Sequence, residues 1–498
     1  MKKIKEIIKK HDNITFFIVL LVIVTTFIFY TELMANDEMW CFSNVYKMTN
    51  GFEIYKDLNV IITPLFFYIG KIVFEIFGAN YLVYRIYNTG IIYLSLFFII
   101  YQLFKILKIE KINAMLYTMI ISITCLFILI DPSYNMLAIL MAIVGIIITI
   151  KNKDGSIKLN IMQGIIMFLV FMSKQNTGAL YIIGHIICEI LINKDIKKAI
   201  KNIFVQLLTS AVGLVLFLVY LQINDNLYSF IDYTILGIGE FANKNAHYDI
   251  INGIIILLEI AVSIIFIILS NKEKIPFKKD ERQNIKILAT ISISTNFIAF
   301  PLCNSAHILI GSVIFFTFLA YIIDLLIFKE ILAGKKINTG KKYILSTIFI
   351  VFLVINIINN VTHYKEITKE GYYFPKGHPY YGVTATEETV KEIEEICTYI
   401  KKQNEQGIEV KVISYYSNLY MNILNRNNGA MDLPFYGNMG KNGEDGMIKE
   451  IQELKNTKIL ILTEDDNVYQ ESKKVTKFIK ENLEKVGEIN RFSIYMSN

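Results

Sequence analysis

Long runs without a single charged residue recur along this chain, and short lysine-rich segments separate most of them. An uncharged apolar run of about 19 residues is the length a helix needs to cross roughly 30 Å of hydrocarbon. On that measure, spans are expected near 14–33, 83–104, 112–130, 133–150, 159–173, 177–192, 202–222, 250–270, 285–300, 306–328 and 343–361, some of them holding a single charged residue. The stretch from Ile287 to Ile323 is too long for one crossing and is divided by the turn from Pro301 to His307. The mean hydropathy of +0.46 and the 54% hydrophobic content agree with a multi-span membrane protein. The lysine-rich start followed by Ile14 onward looks like a signal peptide, but no small-residue cleavage site follows, so it reads as a retained first helix.

Basic residues set the expected orientation. With the N-terminus inside, the cytoplasmic segments hold 26 Lys and Arg, whereas the outward loops before the tail hold six. The expectation is a polytopic α-helical bundle of about 11 transmembrane helices over residues 1–361, N-terminus cytoplasmic, in the plasma membrane. The segment Leu58–Gly78 is hydrophobic, but its uncharged part is too short to cross. Counting it as a span would turn the lysine-rich loops outward. It is therefore read as an amphipathic or re-entrant piece of the external loop 34–82.

From about Thr362 the composition becomes charged, and residues 362–498 read as an extracytoplasmic soluble α/β domain. Its helices are expected at Thr386–Gln403 and near Gln470–Lys485. Strands are expected at Val410–Ser414, Lys458–Leu462 and Arg491–Met496. The glycine-rich stretch Tyr436–Gly446 is a loop whose spacing fits no phosphate-binding pattern. The segment Gln222–Asp249 is too long for a plain connection and reads equally as a lid or a tether.

The net charge of only +6 gives no nucleic-acid signal, and five cysteines without metal spacing give neither a disulfide framework nor a metal site. The groups able to carry chemistry gather on the outward side: Asp37 and Glu38 after the first span, Arg85, Asp131, Lys174, and Asn304 with His307. Each also has a plain structural reading. Asp37 and Glu38 suit a helix N-terminus. Lys174 suits a snorkelling position, Arg85 a span anchor, Asp131 before Pro132 a cap, and His307 a tight turn. Glu259 lies inside a span, where a carboxylate marks function or bonds a neighbouring helix.

Asp37 and Glu38 in the first external loop, Gly51 with Tyr55 and Asp57, Pro64, Phe77 with Gly78, and Arg85 resemble the opening of the GT-C membrane glycosyltransferases. Protein O-mannosyltransferases and lipid A aminoarabinose transferases are the nearest kinds. Asp131, the Ser173–Gly178 turn and the Pro301–His307 turn are similar to that group too, so the resemblance covers roughly residues 10–330. Relatives often carry an acidic residue where this chain has Cys303, Asn304 and Ser305. The resemblance implies transfer of a sugar, with inversion, from a polyprenyl-phosphate carrier to an extracytoplasmic acceptor. Asp37 would be the general base and Glu38 would orient acceptor or sugar. Lys174 and Arg85 would meet the lipid phosphate, with Asp131 and His307 as further substrate contacts. Partners would be the lipid-linked sugar and membrane lipids, with no nucleic acid. No cofactor is certain from the sequence; the paired carboxylates of Asp37 and Glu38 could hold a divalent cation but need not. A lipid-linked sugar flippase or secondary transporter is the alternative of another class; it predicts a repeat between halves and interrupted helices near the midplane. A membrane-bound assembly factor is the third.

Overall fold

The computed structural model describes residues 12–28, 33, 37–128, 131, 133–245, 247–272, 277–300, 302–328, 372–426, 440–463 and 472–497. Helices occupy ten of the eleven expected positions, and the eleventh, 343–361, lies outside the described residues. Six are long and apolar enough to cross a membrane: Tyr81–Ile106, Ser133–Lys151, Gln175–Ile192, Ile196–Ile223, Ile250–Asn271 and Ser305–Leu326. These six are counted among the described residues alone, and eleven spans are not confirmed. Asn13–Thr26, Lys111–Leu126 and Ile157–Ser173 are apolar but shorter. Lys279–Asn296 carries Asp280, Glu281, Arg282 and Lys286 along its first turns, which leaves too little apolar length.

The burial pattern explains why these helices suit hydrocarbon. Along Ile250–Asn271 the buried residues are Glu259, Ser263 and Ser270. Ile254, Leu257, Leu258 and Ile265 are exposed. Water would favour the reverse arrangement; lipid favours apolar chains outside and bonded polar chains within.

The described residues form two compact units. The first contains 86–216 and 247–363 together with the N-terminal 30 residues. Its helices approach closely where side chains are small: a Cβ on Gly178 would lie 2.2 Å from the Phe171 backbone, so only glycine lets the chain double back at this turn. Buried polar side chains knit the helices. Asn160 Nδ2 donates to Asn202 Oδ1 (2.9 Å) and Gln206 Nε2 donates to Asn160 Oδ1 (3.0 Å). Gln206 also donates to Glu189 (3.3 Å), whose carboxylate sits 3.6 Å from the buried His185 ring. His247–Tyr248 pairs in parallel with Leu302–Cys303.

The second unit joins 31–85, 217–246 and 364–498. The expected boundary near 362 is outside the described residues, but the C-terminal segment does not fold apart from the external loop. Tyr81 and Leu82 donate backbone hydrogen bonds to Pro379 and Tyr381 (2.8 and 2.9 Å). Ser43 Oγ lies 2.8 and 2.7 Å from the side-chain oxygens of Asn418 and Asn422. Gly382, at φ +95°, lies so close to Leu82 that an added Cβ would sit 2.3 Å from the Leu82 Cβ. The sheet runs Glu409–Val412, Thr457–Leu462, Phe492–Met496, Glu484–Ile489 in spatial order, the first pair parallel and the others antiparallel. The helices expected in this segment are Glu387–Glu405 and Lys473–Asn482.

Within the external loop, Leu65–Phe77 is a helix of 13 residues, too short to cross, with Phe66, Phe67, Gly70 and Phe74 buried. The segment 222–249 is neither tether nor bare loop. It forms helical turns over Leu227–Ile231, Asp232–Leu236 and Gly237–Asn245. Lys441 holds it to the C-terminal segment, through its backbone N–H to Asp232 (3.0 Å) and its ammonium to Tyr228 (2.8 Å). Phe230 packs edge-on to Tyr55, which makes this piece part of the core of the unit.

Candidate functional site

The six residues singled out from sequence fall into two sets: Asp37, Glu38 and Arg85 in the second unit, and Asp131, Lys174 and His307 in the first.

In the second unit, Asp37 and Glu38 open the helix Asp37–Thr49, whose last turn carries Lys47, so both ends complement the helix dipole. The two carboxylates then diverge. Glu38 is buried and forms a two-pronged ion pair with Arg85, Nε to Oε1 at 2.8 Å and the second guanidinium nitrogen to Oε2 at 2.9 Å. Arg85 also lies over the Tyr81 ring at 5.0 Å. This fork geometry locks the loop helix to the segment 81–85. It engages both Glu38 oxygens, so in this ligand-free structure the two residues hold each other in position. Among the described residues no three His, Cys, Asp or Glu side chains group as a metal site.

Asp37 is different. Its side chain reaches solvent, yet protein surrounds it densely, and the loss of hydration raises its pKa from the ordinary carboxylate value. It is close enough to Tyr415 for the carboxylate charge to push the phenol pKa up further, beyond the larger effect of burial. Tyr415 and Tyr416 pack edge to face at 5.8 Å, and Arg491 lies over Tyr416 at 4.6 Å. An accessible carboxylate with a raised pKa, beside an aromatic pair, is equipped to accept a proton from a hydroxyl.

In the first unit, Lys174 is the extended residue between the helices Ile157–Ser173 and Gln175–Ile192. It is buried, its ammonium donates to Asn135 Oδ1 at 2.6 Å, and it lies 5.6 Å from the centre of the Tyr134 ring. Desolvation pulls its pKa down to about 8. Asn135 in turn reaches Ser133 Oγ (3.4 Å), Ser133 N–H donates to Asn88 Oδ1 (2.9 Å), and the Asn88 amide donates to Asp131. One chain of contacts thus connects Asp131 with Lys174. Two backbone departures shape it. Asn88 sits in a π-helical stretch, Ile86–Ile92, of the kind that turns a side chain off its regular course. Ser133 has φ +44°, an unfavourable value for a residue with a Cβ.

His307 lies in the first turn of Ser305–Ile323, where Asn304 caps the helix through its side-chain oxygen (3.0 Å to His307 N) and meets His307 Nδ1 at 2.9 Å. The Lys174 ammonium and the His307 ring interact electrostatically. Lys174 therefore stands with the N-terminal turns of the helices beginning at Ser133, Gln175 and Ser305, whose N–H groups favour an anion.

Asn88, Tyr134, Asn135 and Tyr415 were missed in sequence. Asn135 had a visible signal, a polar residue four beyond Asp131 at the start of an apolar run; a π-helical register has none. No family model and no curated protein matches this chain.

Proposed function

We propose that this chain is a membrane glycosyltransferase that takes a sugar from a polyprenyl-phosphate carrier and gives it, with inversion, to an extracytoplasmic acceptor. The observation that carries the reading is the buried Lys174, a cation held beside helix N-termini at the end of an apolar bundle. A lipid phosphate is an anion on an apolar chain, and it needs this combination: hydrocarbon for the chain and a desolvated cation for the head. Lys174 neutralises the phosphate as the glycosidic bond breaks, and Asn135 and His307 fix its position. Asp37 takes the acceptor proton as the hydroxyl attacks the anomeric carbon, and the phosphate leaves with the bonding pair. The reading takes the orientation from the lysine bias, with the N-terminus cytoplasmic and the site on the outer face of the plasma membrane. The resemblance of the Asp37, Asp131 and Lys174 segments to the GT-C enzymes supports the same chemistry.

The test is transfer of labelled sugar from a synthetic polyprenyl-phosphate donor by purified protein in nanodiscs, with envelope extract supplying acceptors. Sugar should appear in acceptor or, more slowly, in water, and Asp37→Asn should remove the transfer. Donor consumed at equal rates by wild type and Asp37→Asn would refute the assignment. A flippase or transporter is the second reading, favoured by the buried carboxylates Glu189 and Glu259, because ionisable groups inside membrane helices commonly line transport paths. Movement of intact donor across sealed vesicles without sugar release would support it instead.

A further inference from the structure

Away from Asp131, Lys174 and His307, the first unit encloses a second polar centre. Glu259 lies near the middle of Ile250–Asn271, a helix otherwise built from apolar residues. It is buried, and Ser312 Oγ from Ser305–Ile323 lies 2.8 and 3.0 Å from its two oxygens. Asn296, at the end of Lys279–Asn296, faces the same carboxylate. Asn296 is 1% exposed, and among the described residues its amide oxygen has no hydrogen-bond partner. One helical turn away from these residues, Ser263 and Ser292 meet at 3.5 Å, both fully buried. Three helices thus bring Glu259, Ser312 and Asn296 to one buried place, with the Ser263–Ser292 pair one turn farther along.

A carboxylate at this depth must be neutralised. Among the described residues no lysine or arginine forms an ion pair with Glu259; its neighbours are hydroxyl and amide groups. Two neutralising agents remain, a proton and a metal cation. The donor set discriminates between them. One hydroxyl within bonding distance of both carboxylate oxygens is the arrangement of a donor serving the ionised form. A protonated acid would offer a single hydrogen, and one acceptor would satisfy it; here the Ser312 hydroxyl oxygen and the unpartnered Asn296 amide oxygen both stand beside the carboxylate, with two more hydroxyls a turn away. All the ligands are hard oxygens, which suits an alkali or alkaline-earth cation rather than a nitrogen- or sulfur-seeking metal. With a single carboxylate, a monovalent ion leaves the site neutral and a divalent ion leaves it charged in hydrocarbon.

We propose that Glu259, Ser312 and Asn296, backed by Ser263 and Ser292, form a sodium-binding site within the membrane bundle. This does not depend on the glycosyltransferase reading: sodium occupancy would stabilise the packing of three helices whatever the chain transfers.

The experiment is sodium binding to the purified full-length protein in nanodiscs, read with radioactive sodium by scintillation proximity. Thermal unfolding in sodium chloride against choline chloride of equal ionic strength runs in parallel. Saturable binding and a sodium-specific rise in unfolding temperature are expected. Glu259→Gln should weaken binding by about tenfold or more, the loss of one charge-assisted contact, and remove the thermal shift. Ser312→Ala, which removes an oxygen and no charge, should weaken binding by a smaller factor; it decides the matter if Glu259→Gln is not monodisperse. No saturable sodium signal in the wild type, or an undiminished signal in the variants, overturns the site. So does a protonated-carboxylic-acid infrared band that is lost in Glu259→Gln and unaffected by sodium, which would make Glu259 a proton carrier.

Discussion

If Lys174 holds the donor phosphate, the affinity for donor must follow the charge on one buried ammonium. Burial brings its pKa to about 8. Roughly nine in ten molecules then carry the charge at pH 7 and one in ten at pH 9, so apparent affinity should fall about tenfold between them. A bound phosphate raises the lysine pKa, so binding near pH 8.5 should also take up a proton. The contact itself, a hydrogen bond to a charged group, is worth about 1.5–3 kcal/mol. At 1.4 kcal/mol per factor of ten, Lys174→Met should weaken donor binding by roughly 10- to 150-fold at pH 7 and leave it flat with pH. Lys174→Arg keeps the charge throughout and should be flat too, with an affinity between the other two because its geometry differs. Fluorescent polyprenyl-phosphate analogue binding in nanodiscs, at fixed ionic strength from pH 6.5 to 9.5, reads all three curves. Equal wild-type affinity at pH 7 and pH 9, or a pH dependence that survives in Lys174→Met, would refute the reasoning.

Other outcomes follow from the same geometry. Asp37→Asn should lower transfer by on the order of 10² to 10⁴ while donor binding persists. In the wild type the rate should rise with pH through an apparent pKa above the usual carboxylate range, because the base must be ionised and the protein packed around it disfavours that form; a pH profile unchanged in Asp37→Asn would reassign the base. Glu38→Gln leaves the Arg85 guanidinium buried without its counter-charge, and chemical denaturation should register a loss of about 3–5 kcal/mol; a loss below 1 kcal/mol would mean that the pair is not buried in the working protein. Gly382→Ala must clear Leu82 and adopt a positive φ, so it should destabilise the second unit by roughly 1–3 kcal/mol, seen as earlier proteolysis of the C-terminal segment. In the ligand-free protein, Lys174 binds fewer protons folded than unfolded between pH 8 and its ordinary value of 10.5. Apparent thermal stability should therefore rise across that window, and Lys174→Met should abolish the rise.

The helix positions were legible because hydrocarbon imposes one demand, a long run without charge, and the chain states it repeatedly. At Lys279–Asn296 the apolar run begins inside a helix already carrying charges, so the expected span there is not confirmed. The strands Thr457–Leu462 and Phe492–Met496 were legible from their buried apolar runs, whereas Glu484–Ile489, mostly exposed, was not assigned as a strand, its first two residues falling in the expected helix Gln470–Lys485. Glu38 and Arg85 were both noticed, but their pairing spans 47 positions and leaves no local pattern. For the segment 222–249, length alone suggested a lid or tether; its anchors, Phe230 on Tyr55 and Lys441 on Asp232, are tertiary contacts. The C-terminal segment read as separate because composition changes there, but Tyr380, whose hydroxyl donates to the Asn418 and Leu419 carbonyls, packs against Phe42 and Tyr81 of the external loop.

The central claim is that this bundle holds a lipid phosphate at Lys174, and native mass spectrometry of the protein released from gently purified membranes tests it most directly. The account predicts a bound species of polyprenyl-phosphate or polyprenyl-phosphate-sugar mass in the wild type, diminished in Lys174→Met and retained in Asp37→Asn. Bulk phospholipid alone, in equal amounts on all three proteins, would contradict it.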